Sequence, residues 1–263
     1  MSMSLDDFSS FFQSYLLSAI SVFIFYGNNR WILPKLVPKE AKHSKRSEWE
    51  WINIANSLIH SLITGTWALC CFWQVPDIRK DLISTYSVSA HMCMCLSNGY
   101  FIYDFIDMAK NRQYGGYEIL FHHIVVLVGY TVPLSSLKYM GITLVGLLIE
   151  VNSIFLHLRT LMLLAKANTK SISYHLNNVI NLGTFVLFRI LTLGWMTRWV
   201  VVNREHKDMT KVFFYIASSL CFIIMVMNVV LLQRILTADF KTNQKQPQTN
   251  STPVIQTSHT KVQ

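Results

Sequence analysis

The sequence contains few charged residues for its length. Asp, Glu, Lys and Arg make up 14% of its 263 residues, whereas a soluble domain usually carries about 25%. It also lacks a Gly-rich phosphate loop, a G-x-S-x-G nucleophile elbow and a basic-aromatic recognition module. These absences argue against the soluble enzyme classes that such motifs define, and we expect no nucleic-acid partner.

Cysteine is also scarce, and its spacing is uninformative. The five cysteines are Cys70, Cys71, Cys93, Cys95 and Cys221. All of them fall in hydrophobic stretches, without the paired C-x-x-C spacing of a zinc site. We therefore interpret them as packing residues and predict no metal site.

Long hydrophobic runs are abundant. Hydrophobic residues make up 52% of the chain, and the mean hydropathy is +0.33. Windows of about 20 apolar residues predict membrane-spanning helices. Seven such windows lie near Phe8–Tyr26, Trp51–Val75, Ser87–Met108, Ile119–Leu134, Met140–Leu164, Val179–Val202 and Val212–Leu236.

These runs predict an all-α, polytopic transmembrane helical bundle of about seven helices. Six is the alternative count, because the fourth run is short and contains Pro133, and the fifth and sixth contain ionisable residues. A closed β-barrel is excluded because the runs lack alternation with a period of two.

Basic residues predict the orientation of the chain. The loop after the first run holds six of them, Arg30, Lys35, Lys39, Lys42, Lys45 and Arg46. Cytosolic loops are enriched in Lys and Arg, so we expect this loop to be cytosolic. The net charge of +9 then gives a basic cytosolic face that suits anionic lipid headgroups or anionic cofactors.

We divide the chain into three parts. Residues 1–48 hold the first transmembrane helix and the basic cytosolic loop, and residues 49–240 hold the main bundle. Residues 241–263 are polar and too poor in apolar side chains to fold alone, so we predict a disordered tail.

Polar residues inside the runs recur at helical spacing, so several helices each present one polar face. Ionisable groups are costly in a bilayer and usually face the interior of a bundle. We therefore predict an enclosed polar cavity. The residues expected to line it are His60, Tyr100, Asp107, Glu150, Asn152, His157 and Arg189.

The adjacent His122 and His123 are the strongest candidates for chemistry. Glu118 precedes His122 by one turn, where its carboxylate could orient an imidazole. Asp104 lies across the short loop Ala109–Tyr117, and both Asp104 and His122 are roughly one turn or slightly more from that loop. We expect them to face each other near the cytosolic end, and we name His122, His123, Asp104 and Glu118 as candidate catalytic residues.

Each of these features also has a structural interpretation. Asp104 and Asp107 could only cap or solvate a helix end, and His60 and His157 could be interhelical contacts. Arg189 needs an internal partner, for which Glu150 is the best candidate, and that pair could be purely structural.

Five strings resemble a known family: Asn56–Leu62, Gly99–Asp107, Phe121–His123, Leu148–Arg159 and Gly194–Trp199. Over about Trp49 to Phe240 the chain resembles the TLC-domain family of multi-pass membrane proteins, most closely its small members of types 1 and 2. The resemblance implies a lipid-accessible bundle that limits polyunsaturated chains in membrane phospholipids and so regulates membrane fluidity. It favours the plasma membrane, with the endoplasmic reticulum as the alternative.

In the ceramide synthases of this family, the histidine doublet serves acylation of a sphingoid amine by acyl-CoA. His122 and His123 match that doublet. The His-Asp-x-x-Asp element that follows in those enzymes is replaced here by Glu150–Ile154, without either aspartate.

The resemblance thus leaves three alternatives: a His-dependent acyltransferase that uses acyl-CoA as co-substrate without a bound cofactor, a ceramide-synthase-like N-acyltransferase, and a non-enzymatic lipid-binding or membrane-regulatory protein. Membrane lipids and fatty acyl chains are the expected partners, and the sequence does not indicate a protein partner.

Overall fold

The computed structural model describes residues 5–114 and 116–244, and the side chains of residues 12–114 and 116–238. Over these ranges the chain forms helices and no strands, which confirms the all-α class. The helices are α1 (Leu5–Gly27), α2 (Lys45–Gln74), α3 (Pro76–Lys80), α4 (Val88–Lys110), α5 (Tyr117–Ser136), α6 (Met140–Leu147), α7 (Ile149–Leu164), α8 (Ile172–Phe185), α9 (Thr192–Val202) and α10 (Lys211–Gln244).

Seven long helical segments coincide with the seven predicted spans, because α6 and α7 are nearly continuous and α8 and α9 are joined by further helix. Five of the described segments are long and apolar enough to cross a membrane by length and composition. α4 is outside that group. It packs against α1, α2 and α5, and a helix enclosed by protein can carry polar residues that lipid would not tolerate.

Three serines set the beginnings of long helices. Ser44, Ser87 and Ser171 each precede a helix in extended or near-extended backbone, and each side-chain oxygen accepts the N–H of the residue three positions later. Such caps satisfy one of the backbone donors left free at a helix start. α8 therefore begins at Ile172, seven residues before the predicted Val179.

Local irregularities interrupt two of the spans. The fifth predicted span breaks at Leu148, between α6 and α7. The sixth passes through a π-helical segment, Val186–Leu191, which contains Arg189. By contrast, α5 continues through Pro133 to Ser136, since transmembrane helices tolerate proline when neighbouring groups satisfy the freed backbone.

Glycines allow the closest approaches between helices. A Cβ on Gly99 of α4 would collide with the Ser18 carbonyl of α1, and one on Gly65 of α2 would lie 3.0 Å from the Val151 nitrogen of α7. Small residues at such crossings let helix backbones pack tightly in a bilayer. These two contacts hold α1, α2, α4 and α7 around one polar core.

The chain divides into two units, Met1–Asn228 and Val229–Gln263. The first contains the site described below. In the second, α10 continues through residues 241–244, the first four of the predicted disordered tail. The rest of that tail, residues 245–263, lies outside the described residues.

Candidate functional site

Asp104 lies at the centre of a buried hydrogen-bond cluster between α2, α4 and α5. It is 3% exposed, and its Oδ1 accepts a hydrogen bond of 2.6 Å from Asn53 Nδ2. Its Oδ2 lies 3.3 Å from His123 Nε2. Asp104 is therefore not a solvated helix end.

Asp107, one turn later on α4, is half-buried at the edge of the same cluster. Its Oδ2 accepts hydrogen bonds from Trp49 Nε1 at 2.9 Å and from Asn53 Nδ2 at 3.3 Å. Asn53 thus donates to both aspartates, and the pair is held by α2 from one side.

His60 links α2, α4 and α7 at mid-depth. Its ring stacks on Tyr100 with centroids 3.8 Å apart, and its Nε2 is 3.0 Å from Ser97 Oγ. Tyr100 in turn donates to Ser57 Oγ at 2.8 Å. His60 Nδ1 lies 3.8 Å from Glu150 Oε2, which accepts a 2.6 Å bond from Ser61 Oγ.

Arg189 is buried in a separate polar cluster, without the predicted contact to Glu150. Its nitrogens donate to Asn152 Oδ1 at 2.6 Å, Ser153 Oγ at 2.8 Å and Asn228 Oδ1 at 2.9 Å. Asn152 is two residues after Glu150, so the two side chains point about 200° apart on α7. α7 therefore turns Asn152 toward Arg189 and Glu150 toward α2.

The histidine doublet divides between two environments. His123 faces Asp104 in the polar cluster, whereas His122 lines an apolar cavity. Their ring centroids are 5.8 Å apart, as expected for neighbours that point about 100° apart on a helix. The predicted encounter of Asp104 with the doublet is present, but it involves His123 instead of His122.

The cavity beside His122 has a volume of about 150 Å³ and is bounded by α4, α5, α6, α7, α9 and α10. Its lining includes the polar residues His122, Tyr130, Thr143 and Glu150, and most of it is apolar, including Val126, Met196 and Leu220. The predicted polar faces do meet, and their side chains are largely buried against one another. The cavity beside His122 is lined mainly by apolar side chains.

Two predicted residues remain, Glu118 of α5 and His157 of α7. Glu118 is exposed in the first turn of α5, where a negative charge suits the positive end of the helix dipole. The carboxylate beside the doublet is that of Asp104. His157 is half-buried on α7, two turns after Glu150.

Three participants were missed by the sequence reasoning. Tyr130 donates to Ser97 Oγ at 2.9 Å. Ser61 donates to Glu150, and Asn228 accepts from Arg189. Asn228 had a usable signal, because it is the only amide or charged residue in the apolar stretch 212–232. Among the described residues, no group of three or more His, Cys, Asp or Glu could hold a metal ion.

Fold and site together define a multi-pass membrane protein with a buried polar core beside an apolar cavity. Residues 50–237 match the TLC domain family, and this span is more than half of the chain. The chain belongs to the TLC domain family.

Several relatives are similar over most of their length. The chain is 46% identical to TLC domain-containing protein 2 of Danio rerio over 199 residues, which covers 75% of this chain and 79% of the relative. It is 32% identical to the human protein of the same name, covering 88% and 86%. Human TLC domain-containing protein 1 is 29% identical, covering 78% and 81%.

Proposed function

We propose that this protein acts on the acyl chains of membrane phospholipids, limiting polyunsaturated chains, and that His122 carries out acyl transfer. The observation that carries the proposal is a histidine, His122, in the lining of a mostly apolar cavity bounded by six helices. Family membership supports the coarser statement of a lipid-related role.

The cavity suits part of an acyl chain. An apolar cavity of about 150 Å³ stays dry and takes an apolar guest about the size of benzene. The volume here is about 150 Å³, so it accommodates a segment of a chain while the remainder extends into lipid. A double bond puts a rigid bend into an acyl chain, and a cavity this small would fit a bent and a straight segment differently. This difference gives a physical basis for selection between unsaturated and saturated chains.

Acyl transfer would use an acyl-CoA thioester as donor and a hydroxyl or amine of a membrane lipid as acceptor. His122 takes the proton from the acceptor as its oxygen or nitrogen attacks the thioester carbonyl carbon. The carbon–sulfur bond breaks, and the leaving thiolate takes the proton from the imidazolium. The products are the acylated lipid and free CoA thiol.

In this scheme Asp104 and His123 are positioning residues. An ionised Asp104 carboxylate only accepts hydrogen bonds, so it favours the tautomer of His123 that carries its proton on Nε2, 3.3 Å away. The contact holds α5 against α4 and so fixes the direction of His122.

A specific observation favours a second function, that of a non-enzymatic lipid-binding protein. Most polar side chains of the core form hydrogen bonds with one another, for example Asn53 with Asp104 and Tyr130 with Ser97. Interhelical hydrogen bonds of this kind stabilise membrane bundles without any chemistry. In that case the apolar cavity would bind an acyl chain, and the protein would affect only the organisation of the membrane.

Purified full-length protein in phosphatidylcholine nanodiscs distinguishes the two functions. We expect it to transfer the radiolabelled acyl group of oleoyl-CoA to a lysophospholipid, and His122→Ala to reduce the rate on the order of a hundredfold or more, the usual contribution of a general base. His175→Ala is the matched control, since His175 is exposed on α8. A rate that His122→Ala leaves unchanged contradicts the catalytic role, and no transfer by the intact protein supports the second function.

A further inference from the structure

A second cavity, of about 730 Å³, lies at the end of the bundle away from the basic first loop. Three connecting segments bound it: residues 75–87 between α2 and α4, residues 137–139 between α5 and α6, and residues 203–210 between α9 and α10. It shares no lining residue with the cavity beside His122.

The walls of this cavity are fixed by Tyr139. The Tyr139 N–H donates to the Ile83 carbonyl at 2.6 Å, and its hydroxyl donates to the Asp208 carbonyl at 2.9 Å while accepting the Thr210 N–H at 3.0 Å. Its ring stacks on Phe213 with centroids 3.6 Å apart. One buried residue therefore joins all three segments, through its backbone N–H and its side chain, so the cavity is a built feature of the fold.

Basic residues converge on this cavity. Six lie in or beside the three segments: Arg79, Lys80, Lys138, Arg204, Lys207 and Lys211. Four of the six, Arg79, Lys80, Lys138 and Lys207, line the cavity. This end of the bundle is poorer in basic residues than the other, but most of the basic residues that it has line this one cavity.

Acidic neighbours offset only part of this positive charge. Asp81 Oδ1 accepts the N–H groups of Ile83 and Ser84, each at 2.9 Å; partial burial raises the pKa of Asp81, but these bonds outweigh burial and leave the pKa lowered. Its carboxylate is thus engaged by the loop backbone. Asp208 Oδ1 lies 3.6 Å from Lys138 Nζ.

Two cavity residues keep an uncompensated charge. Lys80 pairs with Asp77 outside the cavity lining, at 2.8 Å. Within the part of the chain that the structure describes, neither Arg79 nor Lys207 has a carboxylate within ion-pair distance. Both side chains are exposed and available to an anion.

Another part of the lining is aromatic and apolar. Trp195 and Trp199 of α9 stack with centroids 6.4 Å apart, and Phe72 and Val145 lie beside them in the lining. Tryptophan is enriched at membrane interfaces, where its ring contacts both the headgroup and the start of the acyl chains. A free phosphate ion would gain nothing from contact with these aromatic and apolar residues. A phospholipid would contact both the basic and the aromatic residues at once.

We propose that this cavity binds the headgroup of an anionic membrane phospholipid, with Arg79 and Lys207 contacting the phosphate and Trp195 and Trp199 contacting the glycerol and upper acyl region. The site is separate from the His122 cavity and does not rest on acyl transfer. It gives the bundle a lipid contact at the end where its sequence is poorer in positive charge.

Native mass spectrometry of the full-length protein tests the site, with short-chain phosphatidylglycerol and phosphatidylcholine as probes. We expect the intact protein to prefer phosphatidylglycerol, and Arg79→Gln with Lys207→Gln to lower its affinity on the order of tenfold with little change for phosphatidylcholine. The charge-conserving pair Arg79→Lys with Lys207→Arg should retain the preference, which excludes misfolding as the cause.

Arg204→Gln with Lys211→Gln is the matched control, because it removes the same charge at the same end outside the cavity lining. An equal loss in this control, or no preference by the intact protein, overturns the proposal. Inorganic phosphate is the third probe. If it binds with the affinity of phosphatidylglycerol and the same sensitivity to Arg79 and Lys207, the site is one for free phosphate, which overturns the assignment to a lipid.

Discussion

Arg189 places a full positive charge inside the bundle and surrounds it with neutral acceptors. Asn152, Ser153 and Asn228 receive its hydrogen bonds from two different helices. A buried charge is costly unless it is hydrogen-bonded, so the three contacts explain how the charge is tolerated. They also fix the π-helical segment Val186–Leu191 against α7 and α10.

Arg189→Lys should therefore destabilise the protein even though it keeps the charge. A lysine ammonium lacks the planar fork of the guanidinium and cannot reach the three acceptors in the same geometry. We expect a loss on the order of 2 kcal/mol, because buried acceptors are left unsatisfied, measured as a lowered unfolding midpoint in detergent. Arg198→Lys is the control at an exposed position of α9, and equal midpoints for the two variants would contradict this role.

At the same scale, the histidine doublet shows what a sequence can and cannot specify. Only one of the two rings lines the apolar cavity, because adjacent residues on a helix point in different directions. Which ring it would be depends on the rotation of α5 about its axis, and that is set by contacts such as the one between His123 and Asp104. No local feature of the sequence encodes this rotation.

Among the helices, the crossing of α1 and α4 depends on the absence of a side chain at Gly99. A Cβ there would lie 2.5 Å from Ser21 Cβ and would also collide with the Ser18 carbonyl. The neighbouring contact, from Ser21 Oγ to the Leu96 carbonyl at 2.6 Å, requires the same close approach.

Gly99→Ala should consequently separate the two helices. We expect a loss of about 1–3 kcal/mol from overpacking, seen as a lower unfolding midpoint in detergent. Gly183→Ala on α8 is the matched control, because no atom lies within 4 Å of its added Cβ, and helix propensity there favours alanine. Stability that is unchanged by Gly99→Ala would show that α1 is not held at this crossing.

The long helices were predictable because hydropathy is summed over about 20 residues, so local exceptions do not obscure the signal. α4 was found despite Asp104 and Asp107 for this reason. The break at Leu148 and the π-helical Val186–Leu191 were not predicted, because a hydropathy window does not register a local change of helix geometry. The roughly two extra turns at the start of α8 follow from Ser171, a capping signal that a hydropathy window ignores.

For the whole molecule, the two cavities share no lining residue. The smaller one places His122 next to an apolar volume suited to part of an acyl chain, and the larger one combines basic residues of three connecting segments with aromatic residues of α2 and α9. Neither could be predicted as a cavity from the sequence, because each is lined by segments far apart in the chain. The polar faces were predictable from spacing alone, whereas the filling of the space between them was not.

We expect His122 to couple this bundle to the acyl composition of phospholipids, and cellular lipidomics tests this role most directly. Cells lacking the protein would be rescued with the intact chain, His122→Ala or the control His175→Ala, at matched abundance. We predict that the intact chain and His175→Ala restore a phospholipid profile with fewer polyunsaturated chains, and that His122→Ala does not. Full restoration by His122→Ala would contradict the account.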